Sequence, residues 1–230
     1  LPSISDDSNI WPADHLPEKH FIKPGPLKAG FHFDRHHGDI ATMHRLFAAL
    51  PLPPEVSRPL LKLQKDLPGA SWRPEENFHI TLCFFGELSH TAARDLDELL
   101  GEIEAPVLSL TVEGAGWFGR REPTAVWARV RESDELRGLA SACARAARRL
   151  GIPLDRQPFT PHVTLAYCHG TPLGEARAWT ERHHAYRSLE WLAGGFHLYS
   201  SQSRSGGPSR YVAEADYPLI GPVPDTLSAP

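Results

Sequence analysis

Two short stretches of the chain carry the same chemical pattern. The first is Phe78-His79-Ile80-Thr81-Leu82 and the second is Pro161-His162-Val163-Thr164-Leu165. Each reads His-x-Thr-Leu with a β-branched residue at x. Each lies in a run of strand-forming residues, Phe78 to Phe85 and His162 to Tyr167. Residues i and i+2 of a strand share a face. His79 and Thr81 therefore face one side while Ile80 and Leu82 face a core. His162 and Thr164 stand likewise against Val163 and Leu165. Two such strands side by side gather two imidazoles and two hydroxyls around one space. That set suits a phosphodiester. A neutral His takes a proton from a nucleophile, a protonated His gives one to a leaving oxygen, and the hydroxyls hold non-bridging oxygens. Histidine serves both roles because its ordinary pKa is about 6.5. A lone strand histidine is more often a packing residue than a catalyst. The doubled spacing, with the same Thr and Leu, is what argues for chemistry.

Strands and helices around these motifs can be read from local pattern. An apolar strand over His44–Leu50 is ended by Pro51 and Pro53-Pro54. A helix is expected from about Pro54 to Leu67, with Val56, Leu60, Leu63 and Leu67 at helical spacing and Pro59 as its weak point. Trp72-Arg73 forms a short strand before the first motif. Ser89 caps a helix from about His90 to Glu102, and Ser133 starts another from about Asp134 to Leu150. Between them, Val107–Phe118 and Thr124–Val130 form a hairpin. A short helix near Gly174–Arg182 follows the second motif. Leu189–Ser201, interrupted by Gly194-Gly195, and Arg210–Leu219 are the last strands, joined by a flexible loop over Ser203–Ser209. No Gly-rich phosphate loop and no parallel βαβ series occurs. Returning hairpins with few helices imply an α+β fold with antiparallel sheets.

Composition excludes several function classes. The 230 residues carry 24 basic and 28 acidic side chains, a net charge of −4. A protein that coats nucleic acid is normally basic, whereas an enzyme acting at a single phosphodiester needs only local positive charge. Three scattered Cys do not make a disulfide framework and fit a reducing cytoplasm. No apolar run approaches the roughly 20 residues of a membrane span, so no membrane partner is expected. The N-terminal stretch lacks the apolar h-region of a signal peptide. Residues 1–42 are rich in Pro, Gly, His and charge and precede Met43, the only Met. They read as a disordered extension outside the domain. Their His32, His36, His37 and Asp39 have the types of a metal site, but a solvated segment is the plainer reading. Residues 221–230 read as a flexible tail.

The paired His-x-Thr motifs resemble the 2H phosphoesterase superfamily. The surrounding sequence resembles its RNA 2′,3′-cyclic phosphodiesterase branch, historically called 2′-5′ RNA ligases. Arg45-Leu46-Phe47-Ala48-Ala49-Leu50 is similar to that branch's opening strand, and Trp72 to His79 to its approach to the first motif. Phe85-Gly86-Glu87, Gly116-Trp117-Phe118 with Val126-Trp127, and Phe159-Thr160-Pro161-His162 are similar to its later landmarks. So are Phe196 to Ser201 and Ser209-Arg210-Tyr211. The resemblance implies an α+β fold of two similar lobes of antiparallel sheet plus helices around a central cleft. The domain would span 43–220, with lobes of roughly 43–105 and 106–220 and room for strand exchange between them.

The implied reaction is hydrolysis of an RNA terminal 2′,3′-cyclic phosphate to a 2′-phosphomonoester. In it His79 is the general acid, His162 the general base, and Thr81 and Thr164 bind the phosphate. No metal and no cofactor is implied. The partners would be RNA ends or oligonucleotides with a 2′,3′-cyclic phosphate, and the protein a monomer. Phe47, Phe84, Tyr167 and Arg210 are candidate substrate contacts, with Trp117 and Phe118 as further stacking candidates. One departure matters. Many members of the branch place Arg where this chain has Tyr167, so either the missing cation would come from Arg210 or Arg120-Arg121, or the site would be slower or prefer another substrate. Strand parity sets Cys83 and Cys168 towards the cleft floor, although buried inert thiols are the plainer reading. Other readings are a cyclic phosphodiesterase for small nucleotides such as an ADP-ribose cyclic phosphate, a non-catalytic binding domain, and reversible 2′-5′ ligation.

Overall fold

The computed structural model describes residues 21–22, 43–204 and 207–220. The His32–Asp39 cluster and the tail over 221–230 lie outside the described residues. The strands are β1 (Phe21–Ile22), β2 (Met43–Pro51), β3 (Ala70–Trp72), β4 (His79–Ser89), β5 (Leu108–Leu110), β6 (Val112–Phe118), β7 (Ala125–Val130), β8 (His162–Cys168), β9 (Trp191–Ala193), β10 (Gly195–Arg204) and β11 (Gly207–Pro218). The α-helices are α1 (Pro54–Leu60), α2 (His90–Gly101), α3 (Asp134–Arg149) and α4 (Leu173–Arg182). The large sheet runs in the order β11-β10-β2-β4-β8-β7-β6, with β3 also paired to β8. A small second sheet has the order β1-β9-β5.

The centre of the large sheet joins two halves, and these do not follow the chain. The last hairpin, β10 and β11, pairs onto β2, next to β4. The middle hairpin, β6 and β7, pairs onto β8. The half that holds the first motif is therefore completed by residues 195–218 rather than ending near 105. Helices cross over as well. Helix α3, which follows β7, packs with α2 against β4. The turn after α1 is tied to the opposite half, where Gln64 Nε2 donates to the carbonyls of Arg73 at 2.7 Å and Leu165 at 3.1 Å.

Local sequence explains most element ends. Ser89 Oγ accepts from the Ala92 amide and Ser133 Oγ from the Leu136 amide, so both expected N-caps are present. Helix α1 is shorter than its periodicity implies. Pro59 lies inside it, the α-helix ends at Leu60, and Leu61–Leu63 continue as a 3-10 turn. The expected long strand over Val107–Phe118 divides at Thr111, with β5 in the small sheet and β6 in the large one. The loop expected over Ser203–Ser209 is largely strand, since β10 reaches Arg204 and β11 begins at Gly207. Phe21–Ile22, within the segment expected to lie outside the domain, pair in parallel with Leu192–Ala193.

Leu46 to Leu50 of β2 are all buried, as suits a strand between two others with both faces covered. Ile80, Val163, Leu165, Leu198 and Phe196 join the same core. Among the described residues, no helix is long and apolar enough to cross a membrane.

Candidate active site

Strands β4 and β8 meet as an antiparallel pair through Ile80 and Val163, both fully buried. Their neighbours turn the other way. His79, Thr81, His162 and Thr164 line one cleft of about 480 Å³, together with Phe47, Phe84, Arg73 and Tyr211. The doubled motif thus converges in space as strand parity requires.

The two histidines are held in the same way. His79 Nδ1 donates to the Asn77 carbonyl at 2.8 Å, and His162 Nδ1 donates to the Thr160 carbonyl at 2.7 Å. A carbonyl only accepts, so each Nδ1 carries the hydrogen. Each Nε2 is left with a lone pair or, after protonation, a second donor. Aromatic rings enclose both imidazoles. Phe47 lies 4.9 Å and Tyr211 5.1 Å from the His79 ring, and Phe118 4.8 Å and Trp127 5.8 Å from the His162 ring. Burial among these rings disfavours the charged form. It lowers His79 to about 4; the Asn77 bond opposes this shift, and the His162 and Arg73 charges add to it. Burial lowers His162 as well, against the bond to Thr160. Both shifts favour the neutral rings near pH 7.

A bulge follows each motif. Ala49 pairs with Thr81 and Ala48 with Cys83, so Leu82 is the extra residue of β4. Trp127 pairs with Thr164 and Val126 with Ala166, so Leu165 is the extra residue of β8. Each bulge reverses the alternation beyond it. Phe84 and Tyr167, each three residues after its Thr, come onto the cleft side, 44% and 45% exposed. Cys83 is correspondingly turned from the cleft into the helix side. Burial pushes its thiol up to about 11, with Arg148 of α3 acting in the opposite direction. Cys168 is buried and does not line the cleft either. The parity argument that placed both thiols near the cleft floor fails at these bulges.

An arginine sits over each rim ring. Arg45 Cζ is 5.1 Å from the Phe84 centroid and Arg73 Cζ is 5.3 Å from the Tyr167 centroid. Arg210, expected in the cleft, lies outside its lining. It borders a neighbouring depression with Glu76 and Asn77, which Ser209 and Tyr211 also line. Arg120 and Arg121 are exposed in the β6–β7 turn and line no part of the cleft. Phe47 is only 3% exposed and packs on His79, Tyr199 and Tyr211, which makes it a support for the ring. Phe118 lines the cleft and Trp117 does not. Asn77, Ser209 and Tyr211 were not singled out by residue type. Asn77 is buried and its Nδ2 donates to the Ser209 carbonyl at 3.0 Å, tying the first motif to β11. Among the described residues, no group of three or more His, Cys, Asp or Glu could hold a metal ion.

Comparison with known proteins agrees with this fold. The family model of the 2′-5′ RNA ligase superfamily matches residues 49–204. An RNA 2′,3′-cyclic phosphodiesterase of Geobacillus stearothermophilus is 35% identical over 127 residues, covering 52% of this chain and 40% of that protein. One of Escherichia coli is 35% identical over 126 residues, covering 53% of this chain and 70% of that protein. The crystal structure of E. coli LigT complexed with 3′-AMP superposes with a TM-score of 0.64 at 27% identity, over 78% of this chain and all of LigT.

Proposed function

Because this chain belongs to the 2′-5′ RNA ligase superfamily, we propose that it hydrolyses the terminal 2′,3′-cyclic phosphate of RNA to a 2′-phosphomonoester. In this reading His162 Nε2 takes a proton from water as the water oxygen bonds to phosphorus. The bond from phosphorus to O3′ breaks, and His79 Nε2 gives its proton to O3′. The product carries a 2′-phosphate and a 3′-hydroxyl. Thr81 and Thr164 donate hydrogen bonds to the non-bridging oxygens. Each proton transfer is worth roughly 10²–10⁴-fold.

The matched Nδ1 bonds to Asn77 and Thr160 carry this reading, because they leave two equivalent Nε2 atoms for acid and base. Rings biased towards the neutral form suit the base at once. The acid takes up its proton with the substrate, whose negative charge favours the imidazolium. The assignment of His79 as acid follows the family resemblance. Neither proton transfer calls for a metal or another cofactor.

The relatives named RNA 2′,3′-cyclic phosphodiesterase support the substrate class. The cleft volume of about 480 Å³ suits a single nucleotide, which favours a second reading beside the first, hydrolysis of cyclic mononucleotides. We further read the protein as a monomer of the cytoplasm, in line with its free cysteines Cys83, Cys143 and Cys168. Incubation with an RNA ending in a 2′,3′-cyclic phosphate, followed by identification of the product's phosphate position, tests the reaction. A 2′-phosphate is expected, and a 3′-phosphate or unchanged RNA contradicts it. A cyclic mononucleotide assayed in parallel separates the two substrate readings.

A further inference from the structure

Arg73 is 8% exposed, yet it lines the cleft beside His79, Thr81, Tyr167 and Tyr211. Its backbone is fixed from both sides. The amide donates to the Leu165 carbonyl at 2.8 Å and the carbonyl accepts from Gln64 Nε2 at 2.7 Å. The guanidinium stacks on Tyr167 and shares the cleft lining with Tyr211. Among the described residues no carboxylate lies within ion-pair distance of it. A buried cation without a counter-ion costs stability, and a fold retains one where a ligand supplies the missing charge. Other described arginines differ in this respect. Arg45 sits on the exposed rim, and Arg131 and Arg137 are paired with carboxylates.

We propose that Arg73 is the phosphate-binding cation of this cleft. It takes the place of the arginine that the family resemblance would put at position 167. The guanidinium reaches the cleft from the neighbouring strand: Trp72 pairs with Ala166, and Arg73 follows directly. Its planar fork grips two non-bridging oxygens of one phosphate, while Tyr167 holds the plane in place. The chemical class of the ligand is a phosphate monoester or diester at a nucleotide end. This inference rests on the proposed hydrolase reading for the identity of that ester and on geometry for the anion site itself.

The test uses inorganic phosphate as probe, with binding followed by calorimetry and stability by thermal unfolding. Arg73→Met should lower phosphate affinity at least about 10-fold and should melt no lower than the unaltered protein, since it removes a buried unpaired charge. Arg73→Lys should keep part of the affinity. Arg120→Gln should bind as the unaltered protein does. In the Arg73→Met background, Tyr167→Arg should restore binding. Unchanged affinity in Arg73→Met would overturn the proposal. So would a Met variant that fails to fold, because the guanidinium would then be structural. Arg73-dependent phosphate binding without turnover of cyclic-ended RNA would leave this proposal standing and remove the hydrolase reading. Turnover with phosphate affinity and KM indifferent to Arg73→Met would do the reverse.

Discussion

Ile80 stands opposite Val163, and through that pair the two halves of the large sheet meet. Continued by one residue in each direction, the antiparallel register sets His79 across from Thr164 and Thr81 across from His162. Each imidazole therefore has the other motif's hydroxyl as its cross-strand neighbour. One phosphate held between the strands can meet a donor and a ring from both sides at once. The arrangement has near two-fold symmetry that extends past the motifs, through the bulges at Leu82 and Leu165 to the rim rings Phe84 and Tyr167.

Burial of His79 makes stability depend on pH. An imidazole in the unfolded chain titrates near 6.5, and His79 in the fold titrates at about 4. Between these values the unfolded state holds more protons, so stability rises with pH there. The contribution is complete above pH 6.5 and is lost as pH falls towards 4. At about 1.4 kcal/mol per unit it amounts to at most roughly 3 kcal/mol, reduced because the ring keeps one edge open to the cleft. Urea unfolding of the unaltered protein and of His79→Gln at several pH values checks this. The variant should show a flatter acid limb, and parallel limbs would contradict the account.

Gly116 makes room for Trp127. A Cβ at 116 would lie 2.4 Å from the far edge of the indole, which sits beside His162. Gly116→Ala should cost about 1–3 kcal/mol through overpacking and should lower turnover by moving the ring that supports His162. Denaturant unfolding and steady-state kinetics on the same sample report both effects. Full activity with full stability would show that the Trp127–His162 contact does not matter.

Deletion of residues 1–42 should leave turnover unchanged. The described part of that segment, Phe21–Ile22, joins only the small sheet, and no described residue of that sheet lines the cleft. Losing the edge strand should cost about 1 kcal/mol in backbone hydrogen bonds, read as a fall of roughly 2–4 °C in Tm. A truncated protein that aggregates or loses most of its activity would mean that the segment packs more deeply on the domain.

Metal dependence separates acid–base from Lewis-acid catalysis. In the proposed mechanism two imidazoles supply both proton transfers, so excess EDTA should leave hydrolysis of a cyclic-ended RNA nearly unchanged. Collapse of the rate, with recovery on adding a divalent ion, would refute the two-histidine mechanism.

The residues of the cleft floor were legible in the sequence because their types and their period of two are local facts. His79, Thr81, His162 and Thr164 follow from parity alone, as do the anchors Ile80 and Val163. The bulges were not legible. Leu82 and Leu165 look like ordinary strand residues, and only pairing with β2 and β7 shows each to be extra. That is why parity misplaced Cys83 and Cys168 and could not explain an exposed Phe84. Locally Arg73 reads as part of a short strand, and its place in the cleft depends on pairing between β3 and β8, far apart in the chain. Charge alone favours Arg210, whereas the β11 residues that line the cleft are Ser209 and Tyr211. Sheet order also escaped local reading. Nothing in residues 195–218 says that they pair beside residues 43–51, since that depends on core closure.

The central claim is that His79 and His162 act as one acid–base pair. Turnover of a cyclic-ended RNA by His79→Ala, His162→Ala and the double variant tests it most directly, with folding verified for each. Each single change should lower kcat by at least about 10²-fold. The double change should cost far less than the product of the two, because groups acting as a unit are non-additive. Near-normal turnover in either folded single variant would contradict the claim, and so would fully multiplicative losses.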